Sequence, residues 1–200
     1  MSARVPLVER KRRQARRRIV EAADELFLAH GFDKVSVSDI AERAEVGRTT
    51  FFRYFGDKQE VVFAKQQELL EMIAAAEQDD ATAAAQTATE AVEQLCPIVL
   101  DLCARITADP EGYERHCHLL EQHPELRARD ALKTQQIADK LSDLLSHRGC
   151  DKTIARFAAE TALACYQTPR HLDNNPRTLV DETRAAFRRA LTLGIHTTTT

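Results

Sequence analysis

The chain has 200 residues, 44% hydrophobic content and a formal net charge of −3, which suit a soluble globular protein with a sizeable core. No apolar run is long enough to span a bilayer and the N-terminus lacks the apolar core of a secretory signal, so we expect a cytoplasmic protein. Five cysteines lie without C-x-x-C spacing, which favours free thiols over a disulfide framework.

Charge is divided unevenly along the chain. Residues 1–58 contain 13 Lys and Arg against 9 Asp and Glu, whereas the remainder contains 15 against 22. Much of the positive charge lies in residues 1–18, beside the motif described next. This run predicts an arm that contacts phosphates or enters a minor groove and becomes ordered on DNA, the alternative being a solvated tail.

The first predicted helix starts at about Ile19 and ends before Gly31. Its apolar residues recur with helical spacing and are Ile19, Ala22, Ala23, Leu26 and Phe27. Gly31 fits a left-handed position after the last turn, and Phe32 is placed to fold back on Phe27.

Residues 36–58 predict two short helices joined by a tight turn, which is a helix-turn-helix. Ser36 and Asp39 form a capping-box pair, and Val35 can pack on Ile40 as a hydrophobic staple. Val46 is the apolar residue of the turn. The motif predicts DNA binding through its second helix.

That second helix carries two chemically different faces. Phe51 and Phe55 lie at positions i and i+4 and suit a core. Arg48, Thr49 and Phe52 point outward, where an Arg can reach guanine and an aromatic ring can contact a thymine methyl. An ordinary solvated helix is the alternative. The predicted DNA contacts are Ser36, Ser38, Arg43, Arg48, Thr49, Thr50, Phe52, Arg53, Tyr54 and Lys58, of which Thr50, Arg53, Tyr54 and Lys58 suit phosphates.

From about Ile19 to Val62 the chain resembles the DNA-binding domain of the TetR family of transcriptional regulators. The resemblance rests on the helix ending at Gly31-Phe32, the VSDIAERA helix and the RTTFFRYF helix. Two positions depart from the family pattern, since Glu45 stands where a turn Gly is usual and Gly47 where a capping Ser or Thr is common. Because Glu tolerates a left-handed backbone poorly, Glu45 predicts either a small strain or a different turn.

The resemblance implies an all-α fold with about nine to ten helices in two domains. Residues 1–57 would form a three-helix DNA-binding domain with its basic arm, and residues 58–200 a larger helical domain for effector binding and dimerisation. A helix from Asp57 to about Glu77 would link them. Its tilt would let a distant site change the spacing of two recognition helices.

Further helices are predicted from capping residues and prolines. Residues 78–90 are weakly patterned and predict a loop or a frayed helix start. Pro97 either kinks the next helix or marks its start. The remaining predicted boundaries are Asp109-Pro110, Pro124, Arg148-Gly149, Asp151 and Asn175-Pro176. Residues 196–200 are predicted to be disordered.

The second domain offers apolar residues that could line a ligand site between helices. Their alternative role is ordinary core packing. The candidate lining residues are Leu69, Ile73, Val99, Leu102, Cys103, Tyr113, Cys117, Leu120, Phe157, Cys165 and Tyr166. The expected ligand is an unknown small-molecule effector that is largely apolar.

The last two predicted helices carry broad stripes of small residues. Such stripes suit internal packing, or a four-helix dimer interface with the same pair of helices from a second subunit. The resemblance to TetR-like proteins favours dimerisation. The candidate interface residues are Ile154, Phe157, Ala158, Thr161, Cys165, Leu179, Thr183, Phe187 and Ala190.

One cluster has residue types that occur in metal and catalytic sites, and it consists of His116, Cys117, His118, Glu121 and His123. Because His116 and His118 point to different sides of a helix, we predict no metal site, no cofactor and no catalysis, and expect a solvated bend. The sequence therefore predicts a homodimeric, TetR-like repressor that leaves a pseudo-palindromic, double-stranded operator when an effector binds. The alternatives are a ligandless regulator that only dimerises or binds a protein partner, and an enzyme using the His/Cys cluster.

Overall fold

A computed structural model of the chain describes residues 7–76 and 83–193. The described residues are all-helical, which confirms the predicted fold class. A short 3-10 turn, Phe32–Lys34, follows the first helix. The ten helices are α1 (Leu7–His30), α2 (Val37–Arg43), α3 (Arg48–Tyr54), α4 (Lys58–Val62), α5 (Ala64–Ala76), α6 (Ala88–Ile106), α7 (Pro110–Gln122), α8 (Pro124–His147), α9 (Lys152–Leu172) and α10 (Leu179–Thr192).

The chain forms two compact units, Met1–Ala64 and Lys65–Thr200. The boundary lies seven residues beyond position 57, where the sequence placed it. The reason is that Val61 and Ala64 are buried in the core of the first unit. That core is built from Ile19, Ala22, Ala23, Val35, Ile40, Ala41, Ala44, Phe51, Phe55, Val61 and Ala64.

Helix α1 begins at Leu7, well before the predicted start at Ile19. The basic run is therefore helical where the structure describes it, and the prediction of a flexible arm is wrong for residues 7–18. Arg, Lys, Gln and Ala are all good helix formers, which explains the extension. Arg17 supports it by pairing with Glu21 one turn later at 3.3 Å.

The end of α1 follows the prediction in part. Gly31 has φ of +81°, a backbone that favours glycine. Its ψ of 149° lies outside the left-handed helical region, so the expected helix cap of that kind is not formed. Phe32 is buried and its ring lies 5.1 Å from that of Phe27, which confirms the predicted contact.

The predicted single helix after Asp57 is wrong, because α4 ends at Val62 and α5 starts at Ala64. Phe63 separates them and is 1% exposed. Its N–H donates to the carbonyl of Glu60 at 3.2 Å, so the chain tightens into a turn of three residues there.

The second unit is built around α9, which packs against α6, α8 and α10, while α7 packs against α8. The predicted caps at Asp109 and Asp151 accept backbone hydrogen bonds from Gly112 and Ile154. Pro97 lies inside α6, so the idea that it starts this helix is wrong; Thr87 caps the helix instead.

Helix α10 starts later than predicted. Asn175 and Pro176 belong to a turn, in which the side chain of Asn175 accepts from the N–H of Arg177 at 2.9 Å. The helix begins at Leu179. Of the predicted loop at 78–90, residues 78–82 lie outside the described part of the chain, as do residues 196–200. None of the helices in the described ranges has the length and apolarity to cross a membrane.

Candidate nucleic-acid interface and ligand cavity

The first helix of the helix-turn-helix, α2, has the predicted capping box. The N–H of Ser36 donates to Asp39 Oδ2 at 2.8 Å, and the N–H of Asp39 donates to Ser36 Oγ at 3.2 Å. These hydrogen bonds from Ser36 lower the pKa of Asp39. Val35 and Ile40 are buried in the same cluster, in agreement with the predicted staple. The entry of α2 is thus determined by neighbouring residues.

The recognition helix α3 has the two predicted faces. Phe51 and Phe55 are buried, with ring centroids 5.9 Å apart. Arg48, Thr49 and Phe52 are exposed, and Phe52 keeps 48% of its surface in solvent while its ring packs edge-on against Phe51. The buried pair therefore orients α3 so that its other face is presented outward.

Glu45 lies in the turn with φ of +52°. Of the two predicted alternatives, a strained backbone or a different turn, the structure has the strained backbone. A left-handed backbone costs a residue other than glycine about 1–2 kcal/mol. Arg18 stabilises this turn. Its guanidinium donates to the Glu45 carboxylate at 2.8 Å, to the Glu45 carbonyl at 3.3 Å, and to the carbonyl of Ala44.

An alanine variant is usually more stable than a glycine variant, and the strain at Glu45 predicts the reverse order of stability. We expect Glu45→Gly to be more stable than Glu45→Ala by about 0.5–1 kcal/mol, because relief of strain exceeds the extra entropy of the unfolded glycine chain. Both variants lose the carboxylate that binds Arg18, so this loss cancels when their free energies of unfolding are compared. Urea unfolding followed by circular dichroism measures the difference.

The matched control is Glu42, an exposed residue within α2. Glycine inside a helix is less favourable than alanine by about 1 kcal/mol, so Glu42→Gly should be less stable than Glu42→Ala. The same order at both positions would contradict strain at Glu45.

The basic run on α1 divides into two parts. Arg16 donates to the carbonyl of Ala64 at 2.7 Å and lies over the Phe55 ring at 5.5 Å, and Arg18 holds the turn. These two residues support the fold, a role that the sequence did not predict. The exposed residues nearer the N-terminus stay candidates for phosphate contacts, namely Arg10, Lys11, Arg12 and Arg13.

Three predicted DNA contacts have partners inside the first unit. Ser36 caps α2, and Arg43 pairs with Glu25 at 2.5 Å while 58% of its side chain stays exposed. Lys58 Nζ donates to the carbonyl of Phe32 at 2.8 Å and lies 4.1 Å from the centre of the Phe32 ring. Lys58 thus ties α4 to the end of α1, so a Lys58 variant would not report on phosphate contacts alone.

The other predicted DNA contacts lie on or near the outward face of α3. Ser38, Arg48, Thr49, Phe52 and Arg53 are exposed, and Thr50 and Tyr54 are partly buried. Arg53 lies 5.2 Å from the Tyr54 ring, which restrains its guanidinium on the surface. Together these residues form a continuous cationic and polar surface at one helix-turn-helix.

The second unit contains an apolar cavity of about 30 Å³, room for one water molecule or little more. Five of the predicted lining residues line it, namely Leu69, Val99, Leu102, Cys103 and Tyr166. Sequence reasoning missed six others, which are Ile106, Ile137, Ala138, Leu141, Ala162 and Leu163. Of these, Ile137, Ala138 and Leu141 lie on α8, while Ala162 and Leu163 lie on α9, whose stripe predicts internal packing or a dimer surface.

The other predicted lining residues lie elsewhere. Phe157 is 60% exposed, so the prediction that it lines a cavity is wrong. Tyr113 is buried and donates to Asn174 Oδ1 at 2.6 Å. The cavity lining includes none of Ile73, Tyr113, Cys117, Leu120, Phe157 and Cys165.

Five of the predicted dimer residues are buried within the chain itself, namely Ala158, Cys165, Leu179, Thr183 and Phe187. The prediction is wrong for these, because α9 is already covered by α6, α8 and α10. Ile154 and Ala190 are partly buried against the core. The exposed part of α9 includes an outer stripe that follows helical spacing and consists of Phe157, Thr161, Ala164, Thr168 and Leu172, bordered by Arg156 and Glu160.

The outer stripe is apolar in character although it contains two threonines. Phe157 and Leu172 are 60% and 82% exposed. Thr161 and Thr168 donate their hydroxyl groups to helix carbonyls one turn earlier, at 2.9 and 2.8 Å. Because these hydroxyl groups are already satisfied, covering the stripe would leave no polar group unpaired.

The histidines of α7 do not come together. Burial lowers the pKa of His116 to about 4, so the expected solvated bend is wrong at that position. His118 is exposed and lies near Glu121, and His123 lies near Glu125. Within the described ranges, no three His, Cys, Asp or Glu residues are arranged to hold a metal ion.

A helix-turn-helix with an outward cationic and aromatic helix is the arrangement of DNA-binding proteins that place a recognition helix in the major groove. Residues 19–64 match the family model described as bacterial regulatory proteins of the tetR family. The N-terminal unit is therefore similar to the DNA-binding domain of the TetR family.

Two curated relatives agree with this assignment. The transcriptional regulator TcmR of Streptomyces glaucescens is 47% identical over 55 residues, which are 28% of this chain and 24% of that protein. The regulator HbdR of Aromatoleum sp. (strain CIB) is 30% identical over 106 residues, 53% of this chain and 43% of that protein. The matches span less than half the length of either relative, so their activities are not transferred as findings.

A solved structure extends the similarity to the whole fold. The TetR-family repressor FadR of Thermus thermophilus, in complex with lauroyl-CoA, aligns over 92% of this chain and 97% of that chain. Its TM-score is 0.53 and its identity is 22%. At this identity, the similarity shows the fold alone.

Proposed function

We propose that the chain is a homodimeric transcriptional repressor that leaves its operator DNA when a small molecule binds the second unit. The observation that carries the proposal is the arrangement of α3, whose Phe51 and Phe55 are buried while Arg48, Thr49 and Phe52 face outward. Such a helix can enter the major groove, where an Arg reads guanine and an aromatic side chain meets thymine methyl groups. A regulator of this kind acts in the cytoplasm.

Dimerisation explains how one short helix gains specificity. Two recognition helices placed one helical turn apart, about 34–36 Å, would read successive major grooves of a pseudo-palindromic operator. The outer stripe of α9 supports this arrangement, since it offers an apolar surface with satisfied threonine hydroxyl groups. The exposed face of α10 carries arginines as well, and one of them, Arg184, pairs with Asp181.

The test of DNA recognition is selection from random duplex DNA with the purified full chain at physiological salt. We expect an inverted repeat to be enriched. The control variant is Arg127→Ala, an exposed basic residue on α8 in the second unit, which should enrich the same repeat. Enrichment of no sequence at all would overturn the proposal.

The effector part of the proposal rests on the cavity between α5, α6, α8 and α9. The Thermus thermophilus FadR was solved in complex with lauroyl-CoA, a ligand with a long apolar part, and this supports an apolar effector for the present chain. Here the cavity is about 30 Å³, so a ligand must open it. A compound acts as inducer only through its different affinity for the free and DNA-bound states, so one that binds both equally is excluded.

The small cavity also favours one alternative, a regulator whose second unit only dimerises or binds a protein partner. Ligand titration of the full chain discriminates between them. Catalysis by the His/Cys cluster is less well supported, because burial raises the pKa of the Cys117 thiol and so disfavours the reactive thiolate. A Cys117→Ala variant that keeps DNA binding but loses an activity would restore the enzyme alternative.

A further inference from the structure

A buried cation lies at the edge of the cavity in the second unit. Tyr166 lines the cavity, and the guanidinium carbon of Arg170 lies 5.2 Å from the centre of its ring. A positive charge therefore lies beside an aromatic residue of the cavity wall. Only 15% of the Arg170 side chain is exposed.

Arg170 is only partly satisfied by its carboxylate partner. One terminal nitrogen lies 3.3 Å from Asp130 Oδ2, whereas Arg–carboxylate pairs frequently form two parallel hydrogen bonds. Gln66 donates to the other carboxylate oxygen at 2.8 Å. Among the described residues, Arg170 Nε and Gln66 Oε1 are buried atoms without a hydrogen-bond partner. Such atoms are rare in folded proteins, and here both belong to the side chains that bind the Asp130 carboxylate.

The charges around the cluster favour an anion. The charged groups that act on His116 are Asp130, Arg170 and Lys65, and burial keeps His116 neutral near pH 7. Two of these three charged groups are cations and one is a carboxylate. An incoming carboxylate would balance this charge, whereas an incoming cation would increase the excess.

The pair also connects two walls of the cavity. Asp130 lies on α8 and Arg170 on α9, and both helices contribute lining residues. A ligand that takes over Arg170 would remove this connection while Asp130 keeps its hydrogen bond from Gln66. Exchange of this bond for a bond to the ligand would allow α8 and α9 to separate and the small cavity to enlarge.

We propose that the second unit binds amphipathic carboxylic acids, with the apolar part in the cavity and the carboxylate on Arg170 in exchange for Asp130. This inference rests on the proposed effector function and specifies the chemical class of its ligand. The carboxylate would take the fork of Arg170, including the unpartnered Nε. The apolar part would lie against Leu102, Ile137 and Leu163.

The test compares acids with alcohols that have the same apolar part. Isothermal titration calorimetry of the full chain is run with decanoate against decanol and with benzoate against benzyl alcohol. A hydrogen bond to a charged group contributes about 1.5–3 kcal/mol. We therefore expect the acid of at least one pair to bind roughly tenfold or more tightly than its alcohol.

Three variants separate the role of the charge from damage to the fold. Asp130→Asn removes the competing carboxylate and should tighten acid binding by about tenfold without changing alcohol binding. The double variant Arg170→Met/Asp130→Asn leaves no buried unpaired charge and should bind acid and alcohol alike. Arg127→Met, on an exposed residue, should behave as the unmodified chain.

The results of these titrations distinguish the carboxylate site from the proposed effector function on which it rests. Equal affinity for acid and alcohol, or weaker acid binding by Asp130→Asn, would overturn the carboxylate site while leaving an apolar effector in place. Binding of neither member of any pair would overturn both the carboxylate site and the effector function. Helix content measured by circular dichroism confirms that each variant is folded.

Discussion

Phe157→Arg is expected to convert the protein from a dimer into a monomer and to reduce its affinity for operator to that of a half-site. Phe157 is 60% exposed at one end of the outer stripe of α9. In a two-fold interface each subunit contributes the same residue, so one substitution acts twice. If each copy loses roughly 2 kcal/mol, the dimer dissociation constant rises by about a thousandfold.

The reason for so large an effect is desolvation. An arginine in this position would place a charge against the methyl groups of Thr161 and Thr168, whose hydroxyl groups are already bonded to their own helix. The outer stripe contains no carboxylate, and the neighbouring Glu160 is already bound by Arg156 and Gln135, so the two arginines would meet with little compensation. Sedimentation equilibrium gives the association state, and operator titration gives the affinity.

Leu132→Arg is the matched control, since Leu132 is 69% exposed but lies on α8, away from the outer stripe. It should remain a dimer with unchanged operator affinity. A Phe157→Arg protein that stays dimeric at low micromolar concentration would show that the interface lies elsewhere.

Features determined by near neighbours in the chain were predictable. The Ser36 capping box, the turn before α8 at Pro124 and the Asp151 cap each depend on residues within one helical turn. The same holds for Phe51 and Phe55, whose spacing places both on one side of α3. These features predict both the helix-turn-helix and most helix starts.

Features that depend on distant residues were not predictable from spacing. The stripe of α9 identified apolar positions, but it did not show that three helices cover this helix and leave only Phe157 and its neighbours outside. Likewise, Arg170 and Asp130 are 40 positions apart and carry no local signal of their pairing. For this reason the prediction is wrong for five of the nine dimer residues, and six of the eleven residues that line the cavity were not predicted.

The strained turn at Glu45 combines both kinds of information. The sequence predicts an unfavourable residue in the turn, but its compensation by Arg18, 27 positions earlier, appears only in the structure. Because Arg18 lies in a basic run, composition had favoured a role in phosphate binding. The contacts indicate instead that this arginine positions α3 relative to α2, and so supports DNA recognition indirectly.

Arg48→Ala is expected to relax base preference at one position of each half-site. Arg48 is the first residue of α3 and is exposed, and the preceding Gly47 has an extended backbone with no side chain in the way. A bidentate contact to guanine contributes about 1–3 kcal/mol of discrimination. The preferred operator should therefore be bound roughly 5- to 150-fold less tightly per half-site, while non-specific DNA loses much less.

Arg53→Ala provides the contrast that separates base reading from phosphate binding. Arg53 is exposed five residues further along α3, beside Tyr54, where it suits a phosphate. Its loss should weaken binding to all DNA sequences alike. The salt dependence of binding should fall by about one phosphate contact per subunit. Lys58 is unsuitable for this purpose, because its contacts with Phe32 support the fold.

Titrations at several salt concentrations, with the selected operator and with single-base variants of it, measure both quantities. Arg48→Ala should change the ranking of the operator variants and leave the salt dependence on non-specific DNA nearly unchanged. Arg53→Ala should preserve the ranking. If both variants lost the same affinity on every sequence, Arg48 would be a phosphate contact, and base recognition would have to come from Thr49 and Phe52 or from the shape of the DNA.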